Sequence, residues 1–507
     1  MRPYCSHPLS FRGWLAVAWQ IKQEDLKHYP HFDKHLPLDE IEKIIMDRER
    51  VRTNAFFPFL RYIEKWRPYR PNGKSKKERP IRYAARRDAY IFAYYRSLLS
   101  EKYEKELSAL GIQNCPIAYR KIPVTPGLTG GKCNIHFAKD AFDAVVQMGN
   151  CCAVALDVSS FFESLDHERL RAIWCRMFEM DELRPDHAAV FKAMTKYSVV
   201  DREKAYERLG FFGTKMKNGK MSKGFLKPFK EMPTQLCSTK DFRKKIAGGD
   251  PSMPSLIETN DLPYGIPQGS PISDLLANIY MIDFDVLLSK WVQARGGVYF
   301  RYSDDILMIL PGGAKEGLEA RDFACEQIKN FGDEIKIKPE KTSIVRFFET
   351  AEDKLQFEPI ENSGKNGLEY LGFRFDGRYV YLRDSTVSGF YRKITYSVRQ
   401  AAYAHISRYH GKSLSFLINS FDLDRFVQDF GRVEGFDSNT EYQDWTFWTY
   451  AKRAGEIFGL MGSPILRQLR NHRKLVKSRV DEELTRAFIS MQPRTMSVEV
   501  SPPNWQA

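Results

Sequence analysis

The sequence predicts a mixed α+β fold, and three observations predict it. Residues 151–158, CCAVALDV, are a continuous apolar run closed by Asp157, the pattern of a strand buried on both faces. Residues 298–310, VYFRYSDDILMIL, set two more apolar runs on either side of Ser303-Asp304-Asp305, the pattern of a hairpin with acids at its tip. The flanking segments instead repeat apolar residues at helical spacing, as in LDEIEKIIMDRERV from residue 38.

At 507 residues, with 43% hydrophobic and 13% aromatic side chains, the chain has the apolar material for a large packed fold, which excludes a disordered tail protein. A formal net charge of +14 favours a polyanionic partner, because each phosphate neutralised by Lys or Arg releases condensed counterions. The eight cysteines form no C-x-x-C pair and no Cys/His ligand spacing, which argues against a structural zinc site. No run of about 18 apolar residues is present, and the N-terminal apolar stretch is too short for a signal peptide. The expectation is a reducing, cytoplasmic setting with no membrane partner.

Taken in order, residues 1–70 read as a helical N-terminal segment ending in the Pro/Arg stretch 67–71, and NGKSKKER at 72–79 reads as a basic loop. A short extended piece then leads into a long helix with Ile91, Tyr94, Tyr95 and Leu98 on one face. From Leu170 to about Arg208 the pattern is helical, with Asp166 and His167 read as the cap before it. Residues 211–245 carry ten basic side chains against Glu231 and Asp241, interleaved with Phe211, Phe212, Phe225, Phe229 and Phe242. Aromatics can stack on bases while lysines follow phosphates, although a solvated loop with anchoring aromatics fits equally well.

Next, Ser270 or Ser273 is placed to cap a helix carrying Leu275, Leu276, Ile279, Ile282 and Val286. Residues 350–367 read as a polar linker, 368–375 (LEYLGFRF) as a short extended segment, and the chain from about Ser385 as a helix-rich tail. Within the tail, ILRQLRNHRKLVKSR carries six Lys or Arg and no acid.

Transfer of a nucleotide to a 3′-hydroxyl uses two divalent cations ~3.5–4 Å apart, one on the attacking oxygen and one on the leaving pyrophosphate. Hard cations take oxygen ligands, and acids at the ends of neighbouring buried strands supply them rigidly. Asp157, Asp304 and Asp305 are the candidates.

Their surroundings resemble the reverse transcriptase family. KKERPI at 76–81, LDVSSFFESLDH at 156–167, YGIPQGSPIS at 264–273, YSDD at 302–305, KPEKT at 338–342 and LGF at 371–373 occur in the family's order. The resemblance implies a right-hand polymerase: fingers and an antiparallel-sheet palm over residues 71–375, with a basic insertion at about 211–263, then a helical thumb and C-terminal extension over 376–507. It implies that Asp157, the Val158 carbonyl, Asp304 and Asp305 hold two Mg²⁺ ions, or Mn²⁺, with Lys341 the acid that protonates pyrophosphate. Phe162 stands where the family places the aromatic ring that excludes a ribose 2′-hydroxyl. Gln268, Gly269 and Tyr302 resemble the surface under the incoming nucleotide, Arg79 and Lys77 the finger residues on its triphosphate, and Leu371, Gly372 and Phe373 the primer grip.

Within the family, HYPHFDKHLP, FFPFLRYIEKW, RPIRYAARRDAYIFAYYRSLL and AYRK resemble the bacterial defence-associated (unknown-group and abortive-infection) lineage. That resemblance implies antiviral defence, dNTP substrates, a non-coding RNA template or scaffold, a DNA product and a possible homo-oligomer. Retron or group II intron enzymes, an RNA-dependent RNA polymerase and a non-catalytic RNA-binding scaffold are the alternatives. An RNA polymerase of this type typically has a second Asp where Phe162 stands, and a scaffold leaves three intact acids unexplained.

Overall fold

The computed structural model describes residues 20–66, 77–125, 130–217, 220–338, 341–350, 354–361, 366–430 and 446–491. After helices Leu38–Met46 and Arg48–Arg52, the chain forms β1 (Phe59–Trp66) and β2 (Lys77–Tyr83), an antiparallel pair. A 24-residue helix, Arg86–Ala109, follows. Its stripe Ile91, Tyr95, Leu99, Tyr103 and Leu107 is buried at a spacing of four, while Tyr94 and Leu98 flank it half-buried.

After helix Asn134–Met148 comes β3 (Cys151–Asp157). Then β4 (Ser198–Asp201) lies parallel to β1, β5 (Phe212–Lys217) and β6 (Lys220–Phe225) make a separate hairpin, and β7 (Ile257–Thr259) pairs with β4. The order β2-β1-β4-β7 makes one sheet. The remaining strands are β8 (Val298–Tyr302), β9 (Asp305–Pro311), β10 (Ser343–Glu349), β11 (Leu355–Glu361), β12 (Leu368–Tyr370), β13 (Phe373–Phe375) and β14 (Val380–Leu382).

The central sheet has the order β11-β10-β3-β9-β8 and is antiparallel throughout. It is covered on both faces, which is why β3 and β9 read as unbroken apolar runs. Cys152, Val154 and Leu156 of β3, with Ile306, Met308 and Leu310 of β9, enter one core with the long helix and helices Ser273–Tyr280 and Ile282–Gln293. Cys151, Ala153, Leu307 and Ile309 enter a second core with β12–β14 and helix Phe447–Phe458. The period of two sends Asp157 and Asp305 to the second face.

Five expectations change. Residues 59–66 form a strand, so the boundary drawn at 70 falls between two paired strands, and Ile21, Leu26, Ile41, Ile45 and Val51 share the first core. The helical reading of 170–208 omits β4, and the linker 350–367 contains β11. Neither Ser270 nor Ser273 caps its helix: the Ser273 hydroxyl donates to the Pro267 carbonyl at 2.6 Å, and the N-cap position is Ile272. In the basic segment, Phe211, Phe212, Phe225 and Phe242 pack into a small core with Phe32, Leu60 and Tyr206, so of these aromatics Phe229 alone is exposed. Asp166 caps its helix as expected, accepting from the Arg169 N–H at 2.7 Å. The described residues of the tail are helix-rich as expected, with Asp384–Arg408 packed along His472–Met491.

Candidate active site

β3 and β9 are in register such that Asp157 and Asp305 stand directly opposite one another. Opposed residues of an antiparallel pair point to the same face with Cβ atoms about 4.5–5.5 Å apart, so the two acids meet at the strand ends. Ser303 and Asp304 form the turn between β8 and β9, with Ser303 in the left-handed region at φ 60°. The Asp304 carbonyl accepts the Val158 N–H at 3.0 Å, which ties the turn to the residue after Asp157.

Charge accumulates here. Burial pushes the Asp305 carboxyl up to about 7, and Asp304 and Asp157 push it the same way while Lys341 and Arg383 oppose them. Burial also raises Asp304, again with Asp157 adding. The Lys341 ammonium donates to Asp157 Oδ1. Its segment is held in place because the Asp157 carbonyl accepts the Lys338 N–H at 3.0 Å.

The donor chemistry fits a hard divalent cation: three carboxylates at converging strand ends, with an ammonium already drawn in to offset them. A finished cage is not formed, however. Among the described residues no group of three or more His, Cys, Asp or Glu side chains stands close enough to hold a metal ion.

A second group lies against β2. The Arg82 N–H donates to the Gln268 carbonyl at 2.9 Å, and a Cβ on Gly269, at φ +113°, would stand 2.6 Å from the Arg82 carbonyl. Only glycine fits that approach. Arg82 Nη2 donates to Glu163 Oε1 at 3.0 Å, and the carbonyl of the neighbouring Phe162 accepts the Ile266 N–H at 2.7 Å. The half-buried Phe162 ring and the Gln268–Gly269 loop are thereby brought together beside the end of β3.

The third group is the β12–β13 turn. Leu371 and Gly372 both have positive φ, at 46° and 91°. The Leu371 carbonyl accepts from Asn134 Nδ2 at 3.2 Å, the Gly372 carbonyl from the Arg383 N–H at 2.9 Å, and Phe373 is buried in the second core. This turn is on the carboxylate face: burial raises the Tyr370 hydroxyl well above its ordinary pKa, and the charge of Asp305 adds to the shift.

Tyr302 is half-buried at the end of β8, with the Tyr119 and Phe137 rings 6.3 and 6.2 Å away. Arg79 is exposed on β2. Burial raises the Tyr119 hydroxyl, with Asp274 and Asp304 adding and Arg79 opposing, so Arg79 and Asp304 act on one group. Lys77 opens β2, and its side chain lies outside the described residues.

Sequence reasoning missed Arg82, Glu163, Asn134 and Arg383. It also missed Arg301, which is fully buried beneath the turn and paired with buried Asp285. Arg301 left a readable signal: an arginine inside an apolar strand needs a buried partner.

An antiparallel sheet presenting acids from a central strand and an adjoining hairpin is the palm of a right-hand polymerase fold, here with a helical C-terminal region. Residues 260–375 match the family model described as "Reverse transcriptase (RNA-dependent DNA polymerase)". The match includes Gln268, Asp304, Asp305 and Lys341, whereas Asp157, Phe162 and Arg79 precede it. A comparison with curated proteins finds no match. Among solved structures the chain is similar to apo telomerase from Candida tropicalis, at 11% identity over 85% of this chain and 64% of that chain, TM-score 0.35. It is also similar to telomerase from Candida albicans in complex with a TWJ fragment of telomeric RNA, at 10% identity over 87% and 65%, TM-score 0.36. The chain thus spans less than two thirds of these telomerase chains. At these scores the likeness carries no inference about function.

Proposed function

We propose that this protein is a reverse transcriptase, a polymerase that adds deoxynucleotides to a primer 3′-end at Asp157, Asp304 and Asp305. The observation that carries the reading is the register placing Asp157 opposite Asp305, with Asp304 between the paired strands. The reverse transcriptase match over 260–375 supports it.

Two Mg²⁺ ions, or Mn²⁺, held by Asp157, Asp304, Asp305 and the Val158 carbonyl would activate the 3′-hydroxyl and steady the departing pyrophosphate. The chain's own residues do the rest. Lys341, one hydrogen bond from Asp157, supplies a proton to the leaving group. Phe162, braced through its carbonyl by the 264–269 loop, closes the space a 2′-hydroxyl would need. Gln268, Gly269 and Tyr302 form the surface under the nucleotide, Arg79 and Lys77 meet its triphosphate, and the Leu371–Phe373 turn holds the primer end. On this reading residues 71–375 are fingers and palm, and 376–507 are thumb and extension.

The finer reading is an antiviral enzyme of the bacterial defence-associated lineage, cytoplasmic, working with a companion non-coding RNA as template or scaffold. Its support is the resemblance of the segments before Asp157 and the long helical region after residue 384. No helix of the described residues is long and apolar enough to cross a membrane.

Single-nucleotide incorporation with dATP and ATP, on wild type and Asp304→Ala, tests the activity, with RNA binding measured in parallel. The expected result is dATP incorporation abolished by the substitution, with RNA affinity unchanged. Synthesis that survives Asp304→Ala removes the site assignment, and preference for ATP moves the reading to an RNA polymerase. Sequencing the nucleic acid that copurifies with the protein tests the companion RNA.

A further inference from the structure

The Ser303–Asp304 turn is gripped from below. Arg301, the residue two before Ser303, has no solvent exposure, because on β8 it faces the core opposite to the carboxylates. Its guanidinium makes a two-point pair with Asp285 of helix Ile282–Gln293, Nε to Oδ1 and Nη2 to Oδ2, both at 2.7 Å. The remaining nitrogen, Nη1, donates to the Ser303 carbonyl at 3.1 Å and to Asn278 Oδ1 at 3.0 Å.

Asp285 and Asn278 are themselves held. Tyr299 donates its hydroxyl to Asp285 at 2.7 Å, and Asn278 Nδ2 donates to the Ala118 carbonyl at 2.8 Å. The Arg301 backbone is fixed too, its N–H on the Cys115 carbonyl and its carbonyl on the Ile117 N–H, each at 2.9 Å. The two successive turn carbonyls are thus bound from different elements, Ser303 by Arg301 and Asp304 by Val158.

A non-glycine residue at φ 60° relaxes unless its surroundings hold it. Core filling alone does not require the geometry seen here. A buried ion pair confers little net stability over apolar residues of the same shape, and this one spends a guanidinium donor on the carbonyl that sets the direction of Asp304. We propose that Arg301 is a positioning residue: clamped by Asp285, Tyr299 and Asn278, it holds the Ser303 carbonyl and so fixes the backbone that carries Asp304 and Asp305 beside Asp157. This rests on the proposed polymerase site and adds to it a supporting layer that the carboxylates alone do not reveal. Groups of this kind orient ligands, and their loss typically costs about 10–100-fold in metal affinity or activity.

Two full-length variants test it. Arg301→Met combined with Asp285→Leu removes both charges while filling the space, leaving the Ser303 carbonyl unsupported. Arg301→Lys keeps the charge against Asp285 but cannot bond Asp285 twice and also reach the Ser303 carbonyl. Each is measured for melting temperature, for Mn²⁺ affinity by electron paramagnetic resonance, and for primer extension across Mg²⁺ concentrations.

Mn²⁺ affinity and kcat are expected to fall in both variants by about tenfold or more, with KM for dNTP and RNA affinity little changed. Wild-type Mn²⁺ affinity in whichever variant folds, with kcat recovered, means that Arg301 only fills the core and overturns the proposal. If neither variant folds, Arg301 is a stability residue and the proposal is likewise overturned. If wild type binds Mn²⁺ but synthesises nothing, the polymerase reading fails, while the metal titration still decides the role of Arg301.

Discussion

Asp157 and Asp305 face one another across β3 and β9, like charges at a directly opposed position of an antiparallel pair. Such pairing destabilises a sheet by up to about 1 kcal/mol. It persists at the end of two strands whose other residues are apolar on both faces. Asp305→Asn is therefore expected to raise the melting temperature in metal-free buffer above about pH 7, where Asp305 is ionised, while reducing dNTP incorporation at least about a hundredfold. Divalent metal should stabilise wild type and do so less in the variant. Thermal denaturation with and without Mg²⁺ checks both, and a variant that melts lower without metal would mean that the opposed acids do not strain the sheet.

Phe162→Ala should admit ribonucleotides. The ring is half-buried against the first core and stands next to Glu163, the partner of Arg82, so its position is coupled to the loop carrying Gln268. Truncation removes the ring proposed to exclude a 2′-hydroxyl without touching the carboxylates. The ratio of ATP to dATP incorporation should rise by about tenfold or more, since a steric gate is worth 1–3 kcal/mol. An unchanged ratio would leave Phe162 as core packing.

How much of this was legible in the sequence follows from burial. Strands β3 and β9 are covered on both sides, so their apolar runs are unbroken and the acids that end them stand out. β11 hid because its burial is partial along LQFEPIE, and β4 because four residues carry no period. β1 was absorbed into a helical reading because Arg61, Glu64 and Lys65 interrupt its apolar residues. The pairing of Arg82 with Glu163, 81 positions apart, and of Arg301 with Asp285, from strand to helix, are products of the tertiary fold, which no local spacing records.

Gly269→Ala isolates the loop proposed to lie beneath the nucleotide. The new Cβ would meet the Arg82 carbonyl at 2.6 Å and Ile81 Cγ2 at 3.2 Å, on a backbone at φ +113° that L side chains avoid. The loop must retreat from β2, lengthening the hydrogen bond from the Arg82 N–H to the Gln268 carbonyl. Strain of this kind costs about 1–3 kcal/mol. Displacing a substrate-positioning loop by about 1 Å should lower kcat/KM for dNTP by roughly a hundredfold. Urea unfolding and steady-state incorporation measure the two effects, and activity equal to wild type would separate this loop from the nucleotide.

Acid should weaken the fold through His31. The ring is wholly buried, its Nδ1 accepts the Phe32 N–H at 2.8 Å, and burial pushes its pKa down to about 4, with Asp33 and the Tyr83 backbone opposing and Arg86 adding. An unfolded histidine titrates near 6.5, so between about 6.5 and about 4 the unfolded chain binds a proton that the folded chain refuses. Stability from this group is complete above that window and declines as pH falls through it, by about 3 kcal/mol in all. His187, pushed down to about 4 mainly by burial, acts in the same sense. Asp88 acts oppositely: burial raises it to about 6, so the folded chain retains a proton that the unfolded chain releases above about 4. Comparing His31→Gln with wild type cancels both contributions. The loss of unfolding free energy between pH 7 and pH 4.5, measured in urea, should be smaller in the variant, and equal losses would show that His31 is protonated in the folded protein.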